Sequence, residues 1–186
     1  AATRNAEIAS VREAIALGYR LIDTAEMYGE GGSESIVGQA IADAIRAGDV
    51  RRDELFVVSK VYPHNASRRG TALACDRSLG RLGLDRIDLY LLHWRGSIAL
   101  AETVEALQAL VQTGRIARWG VSNLDVDELQ QIDRLAPGRC ATDQVYYALT
   151  QRGPAFDLLP WMRARSMPMM AYSPIDQGAL AGHPGL

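Results

Sequence analysis

The sequence predicts an α/β domain in which strands and helices alternate along the whole chain. Short apolar runs rich in Ile, Val, Leu and Tyr recur six times, about 30 residues apart, the length of a βαβ unit with its crossover helix. Strands joined in this way are expected to be parallel. The six predicted strands cover residues 19–24, 55–60, 87–93, 116–121, 141–147 and 168–173.

Apolar residues at helical spacing predict the helices that connect these strands. A first helix, around Ile8, Val11 and Ile15, precedes the first strand. The buried face of the second helix is predicted to consist of Ile36, Val37, Ala40, Ile41, Ala44 and Ile45. In the helix after the third strand, the corresponding face is Val104, Leu107 and Val111.

Residues suited to helix ends stand at the expected places. Ser33 is predicted to cap the second helix, and Asp125 with Glu128 forms the pattern of a capping box. Glycines stand where three helices are expected to end, at Gly18, Gly48 and Gly114.

Strict βα alternation leaves two architectures, an open doubly wound sheet and a closed (β/α)₈ barrel. Polar residues that could take part in binding or catalysis fall at the carboxyl ends of all six strands. A barrel gathers such ends around one mouth. These residues are Asp23, Lys60, His93, Ser122, Asn123, Gln144, Tyr172 and Ser173. We therefore predict a barrel. A GxGxxG dinucleotide motif is not predicted, because Glu34 follows Gly29, Gly31 and Gly32 where the last glycine should stand.

Composition excludes several classes of function. The chain has 186 residues, 48% of them hydrophobic, and a formal net charge of −2, which suits one globular domain and argues against binding nucleic acid or membranes by bulk charge. No apolar run approaches the about 18 to 20 residues of a membrane span, and residues 1–10 lack a signal-peptide pattern. Cys75 and Cys140 form no CxxC pair, so no metal site is predicted and the cytoplasm is the expected compartment.

Six sequence segments, in this order and spacing, resemble the aldo-keto reductase family. They are LGYRLIDTAEMYG (17–29), VSK (58–60), LDRIDLYLLHW (84–94), GRIARWGVSN (114–123), DQVYY (143–147) and MAYSP (170–174). Two further segments, DLLPW (157–161) and YSPIDQGAL (172–180), are similar to a bacterial branch that includes methylglyoxal reductases. The resemblance implies reduction of aldehydes and ketones with NADPH as cofactor.

The resemblance implies a catalytic tetrad of Asp23, Tyr28, Lys60 and His93. Reduction of a carbonyl places negative charge on its oxygen, so the site needs a proton donor there. Tyr28 is the predicted general acid, and the ammonium of Lys60, paired with Asp23, is expected to lower the pKa of the phenol. His93 is expected to donate a hydrogen bond to the substrate carbonyl.

The cofactor residues follow from the same resemblance, and the substrate residues from their place in the loops. Ser122, Asn123 and Gln144 are expected to bind the nicotinamide carboxamide, Tyr172 to stack on its ring, and Ser173 to begin the loop that crosses the pyrophosphate. Four residues in the loops at the strand ends are predicted to line an apolar mouth for a small carbonyl substrate: Trp94, Met27, Tyr62 and Tyr147.

Barrels of this family have eight strands in about 250 residues or more, whereas this chain has six predicted strands in 186 residues. We therefore expect residues 1–186 to form a single barrel domain that lacks its first and last strands. The alternative function is an NADPH-binding regulatory subunit of the same fold with little turnover. No helix face predicts an oligomer interface.

Overall fold

The computed structural model describes residues 2–182 and contains six α-helices and six strands among them. The strands are β1 (Leu21–Asp23), β2 (Phe56–Val61), β3 (Ile87–Leu92), β4 (Ile116–Ser122), β5 (Asp143–Tyr146) and β6 (Met169–Tyr172). The helices are α1 (Ala2–Ala16), α2 (Gly32–Ala47), α3 (Arg68–Leu82), α4 (Leu100–Gln112), α5 (Val126–Leu135) and α6 (Leu158–Ala164). Each of the six predicted strands is confirmed.

The strands form one parallel sheet in chain order, from β1 at one edge of the described sheet to β6 at the other. The main apolar core lies between this sheet and the helices. A smaller apolar cluster lies on the opposite face, around Val58, Leu89 and Leu91. Strands that pair in chain order, without a switch point, are the arrangement of a barrel. The prediction of a barrel rather than an open doubly wound sheet is therefore confirmed.

One side-chain contact shows that the sheet is strongly curved. The Gln144 amide in β5 donates a hydrogen bond of 3.2 Å to Asp23 in β1. In a flat sheet, strands four places apart are about 19 Å apart. The six strands therefore form an arc, and Asp23 at the end of β1 faces Gln144 of β5 across its hollow side.

The helix ends agree with the sequence except at the start of α2. Asp125 and Glu128 form the predicted capping box of α5, and Gly48 ends α2 in the left-handed conformation. The prediction that Ser33 caps α2 is wrong, because α2 begins at Gly32 after Gly31. Ser33 lies inside the first turn, and its hydroxyl accepts a hydrogen bond from Thr24.

In each of two helices, one residue of the predicted buried face is exposed. Ile45 of α2 and Val111 of α4 are 38% and 37% exposed, respectively. In α2 the buried face is rotated toward Glu34 and Gly38, which are both buried. This rotation brings a carboxylate into the layer between the sheet and the helices.

We expect Gly38→Ala to destabilise the protein by about 2 kcal/mol or more. A Cβ at Gly38 would lie 2.5 Å from the carbonyl oxygen of Leu82 in α3, so the two helices would have to separate. The free energy of unfolding in denaturant measures the effect. Gly80→Ala is the matched control, because nothing lies within 4 Å of its Cβ position in α3, and it should be neutral or stabilising by up to about 1 kcal/mol. Equal effects of the two substitutions would contradict the packing described.

Within residues 2–182, no helix combines the length and the apolar character needed to cross a membrane. The same residues contain no group of three or more His, Cys, Asp and Glu side chains that could hold a metal ion.

Candidate active site

Three neighbouring strands bring charged and polar side chains together at their carboxyl ends. Asp23 ends β1, Lys60 lies near the end of β2, and His93 follows β3 directly. The Lys60 ammonium donates to both carboxylate oxygens of Asp23 at 2.8 Å and to the Thr24 carbonyl at 3.0 Å. The Lys60 side chain is completely buried, and a buried ammonium is tolerated only with such partners.

Tyr28 lies in the loop between β1 and α2 and covers this ion pair. Its hydroxyl is 3.5 Å from Nζ of Lys60, and Nζ lies 5.1 Å from the ring centroid. The Tyr28 ring meets the His93 ring edge-on, with centroids 5.7 Å apart. The structure therefore brings the four predicted tetrad residues into one cluster.

The expectation that the Tyr28 phenol has a lowered pKa is wrong for this structure. Burial, and next the Asp23 carboxylate, raise the pKa of Tyr28 above its ordinary value. The physical reason is that the cost of burying a phenolate, to which the Asp23 carboxylate adds, exceeds the attraction of the nearby ammonium. The pKa of Lys60 itself is lowered by burial, and Asp23 opposes that shift. Tyr28 therefore carries its proton at neutral pH, as a proton donor must.

His93 is held as a neutral imidazole. Burial, and next the charge of Lys60, lower its pKa from 6.5 to about 4. Its backbone is fixed on both sides, because its N–H donates to the Val61 carbonyl and its carbonyl accepts from the Asn123 amide at 3.2 Å. A neutral imidazole retains one N–H that can be donated to a substrate oxygen.

We expect the lowered His93 pKa to make stability fall on acidification. The unfolded chain takes up a proton at His93 near pH 6.5 and the folded protein only near pH 4, so the unfolded state binds more protons in this window. The contribution is fully present above pH 6.5 and is lost as the pH falls toward 4. Between pH 7.5 and 4.5 the wild type should lose about 2 kcal/mol of unfolding free energy relative to His93→Gln. A difference that stays constant over this range would contradict a buried neutral histidine.

A second group, the amide cluster, lies at the carboxyl ends of β4 and β6 and inside β5, and it consists of Ser122, Asn123, Gln144 and Tyr172. The Ser122 hydroxyl donates to the Gln144 carbonyl at 2.7 Å and accepts from the Asn123 amide at 3.0 Å. Asn123 in turn accepts from the Tyr172 hydroxyl at 2.9 Å. Because Gln144 also donates to Asp23, the amide cluster and the tetrad form one continuous hydrogen-bonded site.

The amide cluster fits a nicotinamide by the chemistry of its groups. A carboxamide has one acceptor oxygen and two N–H donors, and Ser122, Asn123 and Gln144 provide both donors and acceptors. The half-buried Tyr172 ring lies nearly parallel to the Tyr146 ring, 5.5 Å between centroids, and its flat surface suits a heteroaromatic ring. Ser173 follows with a φ of 50° and begins the turn after β6.

Aromatic side chains continue from the tetrad along one side of the mouth. The Trp94 ring packs 4.8 Å from His93 and 5.8 Å from Tyr62, centroid to centroid. Met27 is 38% exposed in the Tyr28 loop. Tyr147 instead packs against the core between sheet and helices, so its predicted place in the mouth is wrong. Its neighbour Tyr146 reaches the site through Tyr172.

Sequence reasoning missed two buried carboxyl groups beside the site. Glu26 accepts hydrogen bonds from the Tyr62 backbone at 2.7 Å and the Asn65 amide at 3.0 Å, so it ties the loop after β2 to the Tyr28 loop. Asp143 lies on β5 opposite Val121, and burial raises the pKa of its carboxyl to about 8. Glu26 stands inside the DTAEMY motif, where an acid between two apolar residues was the available signal.

Comparison with known proteins identifies the family of the chain. The sequence profile of the Aldo/keto reductase family matches residues 1–184. The chain belongs to the aldo/keto reductase family. The resemblance predicted from the six sequence segments is thereby confirmed.

Individual family members are similar over nearly the whole chain. The methylglyoxal reductase YeaE of Escherichia coli is 50% identical over 178 residues, which are 95% of this chain and 60% of that protein. The glyoxal reductase of Bacillus subtilis is 37% identical over 92% of this chain and 59% of its own length. A crystal structure of a Klebsiella pneumoniae aldo/keto reductase with NADP and acetate matches with a TM-score of 0.89 at 50% identity, covering 98% of this chain and 62% of that one. The chain thus spans about 60% of the length of these relatives.

Proposed function

We propose that the whole protein is a cytoplasmic, NADPH-dependent reductase of small aldehydes and ketones, with 2-oxoaldehydes such as methylglyoxal as its substrate class. The observation that carries the proposal is the continuous site in which Gln144 joins the amide cluster to the Asp23–Lys60 pair. The similar proteins named as methylglyoxal and glyoxal reductases, and the relative crystallised with NADP, support the substrate class and the cofactor.

In the proposed reaction a bound NADPH supplies the hydride, and residues of this chain bind and protonate the substrate. His93 donates its N–H to the carbonyl oxygen and orients it. Tyr28 gives its proton to the same oxygen as negative charge develops, and an alkoxide is a much stronger base than a phenolate, so the raised Tyr28 pKa does not prevent the transfer. Lys60, 3.5 Å from the phenol oxygen, stabilises the phenolate that remains.

The mouth residues are proposed to act through shape. Trp94 and Tyr62 present an aromatic wall beside His93, and Met27 adds an adaptable apolar side chain on the Tyr28 side. Such a wall places the apolar part of a small carbonyl compound away from water while its oxygen faces Tyr28 and His93.

Oxidation of NADPH by the whole protein, followed by absorbance, tests this function. Methylglyoxal and aromatic aldehydes should both be reduced, and NADH should be a poorer cofactor than NADPH. A protein that binds NADPH but reduces none of these compounds would support the regulatory alternative. A clear preference for NADH would overturn the cofactor assignment alone.

A further inference from the structure

A fully buried carboxylate in the first turn of α2 lies outside the site described so far. Glu34 has no exposed surface. One of its oxygens accepts a hydrogen bond from the Ser59 hydroxyl at 2.5 Å, and the other accepts from Nε of Arg81 at 2.7 Å and lies 2.5 Å from Nη2 of the same residue. A buried charge is costly unless it is paired, and here both oxygens have partners.

Glu34 connects the strand that carries Lys60 to two helices. Ser59 precedes Lys60 in β2, and because side chains alternate along a strand, Ser59 faces the helices while Lys60 faces the hollow side of the sheet. Arg81 lies in the last turn of α3. Glu34 therefore links the start of α2 to the side chain of Ser59, next to Lys60, and to the end of α3.

The same ion pair contacts the loop that carries Tyr28. Arg81 lies directly over Gly31, where an added Cβ would be only 2.5 Å from its Nε. Within the first turn of α2, the Ser33 N–H donates to the Tyr28 carbonyl at 3.1 Å, and the Ser33 hydroxyl accepts from Thr24 at 3.0 Å. The position of the Tyr28 loop is thus determined by the helix turn that Glu34 anchors.

We propose that the Glu34–Arg81 ion pair is a positioning element that sets the distance from the Tyr28 hydroxyl to Lys60 and His93. Neither residue touches the site itself; each acts through the loop. The inference rests on the proposed function, in which Tyr28 is the proton donor. A displacement of about 1 Å in a reacting group is enough to cost a large factor in rate, and the present 3.5 Å contact between Tyr28 and Lys60 leaves little margin.

Glu34→Gln in the whole protein tests the proposal, because the amide keeps the shape of the side chain and removes the charge facing Arg81. We expect kcat for methylglyoxal to fall about 10-fold to 100-fold. The Kd for NADPH should change less than about two-fold, since the amide cluster lies on other strands. Hydrogen exchange of backbone amides in residues 24–33 should become faster. Arg81→Lys, which retains a charge, should recover more of kcat than Arg81→Met.

Asp88→Asn is the matched control. Asp88 in β3 also pairs with an arginine, accepting from Arg52 at 2.7 Å, and it also joins β2 through the Val57 N–H at 2.9 Å. Asp88 and Val57 lie at the amino ends of β3 and β2, away from the site at the carboxyl ends. The control should lower stability without changing kcat or the exchange of residues 24–33.

The outcomes are distinguishable. If Glu34→Gln lowers only stability, as the control does, the ion pair has a structural role alone and the proposal is overturned. If the wild type reduces no carbonyl compound, the proposed function fails, and hydrogen exchange still shows whether the pair holds the Tyr28 loop. If Glu34→Gln does not fold, the comparison of Arg81→Lys with Arg81→Met decides: equal kcat in the two would overturn the proposal.

Discussion

Tyr28→Phe should lower kcat for methylglyoxal reduction about 10³-fold and leave the Kd for NADPH within about two-fold. The substitution removes only the phenol oxygen, which lies 3.5 Å from Nζ of Lys60, and general acid catalysis contributes about 10² to 10⁴ in rate. Cofactor binding should survive because the amide cluster belongs to β4, β5 and β6. Steady-state kinetics and fluorescence titration with NADPH measure the two quantities.

Tyr19→Phe is the control for this substitution. Tyr19 is 65% exposed before β1 and lies outside the site, so its loss of a hydroxyl should leave kcat unchanged. A Tyr28→Phe protein that retains a tenth or more of the wild-type kcat would exclude Tyr28 as the essential acid. A wild type that binds NADPH and shows no turnover would instead favour the regulatory alternative.

Lys60→Met should lower kcat about 10²-fold to 10³-fold, the usual loss when one group that stabilises developing charge is removed. The ammonium lies 3.5 Å from the Tyr28 oxygen and donates two hydrogen bonds of 2.8 Å to Asp23. Methionine fills the same buried volume without the charge. Since Asp23 then loses its main partner but keeps some access to water, we also expect a loss of about 2 to 3 kcal/mol in unfolding free energy.

The double variant Asp23→Asn with Lys60→Met separates catalysis from stability. Removing both charges takes away the unpaired carboxylate, so most of the unfolding free energy should return while kcat stays low. Recovery of kcat together with stability would show that Lys60 has only a structural role. Unfolding in denaturant and steady-state kinetics on the same preparations give both values.

The positions of Asp23, Lys60 and His93 could be predicted from the sequence because parallel strands end at one edge of a sheet. Apolar runs in the sequence predict the strands. In a barrel, the polar residue at the end of each strand then lies at the mouth. Tyr28 was predictable only from the motif, since a loop residue has no periodicity that fixes its direction.

The electrostatics of the site were not predictable in the same way. The sequence predicts a lowered pKa for Tyr28 because of Lys60, but the sign depends first on the burial of the phenol and next on Asp23, and both raise that pKa. Such a balance depends on distances of a few ångströms that no spacing in the sequence specifies.

Small shifts of register account for the remaining errors. Tyr147 was predicted for the mouth and Tyr146 stacks with Tyr172 instead, because a shift of one residue along a strand exchanges its two faces. In α2, the predicted buried face includes Ile45 and omits Glu34. In the structure, residues 34, 37, 41 and 44 share the buried face. A carboxylate on that face was the available signal for the buried ion pair with Arg81.

Transfer of deuterium from NADPH to methylglyoxal tests the central claim most directly. NADPH that carries deuterium at both C4 positions of the nicotinamide is incubated with methylglyoxal and the whole protein, and the alcohol product is examined by mass spectrometry and NMR. We expect one deuterium on the carbon that was the reduced carbonyl, formed by the wild type and nearly absent with Tyr28→Phe. A product without deuterium, or equal labelling by the two proteins, would contradict reduction by NADPH at the Tyr28 site.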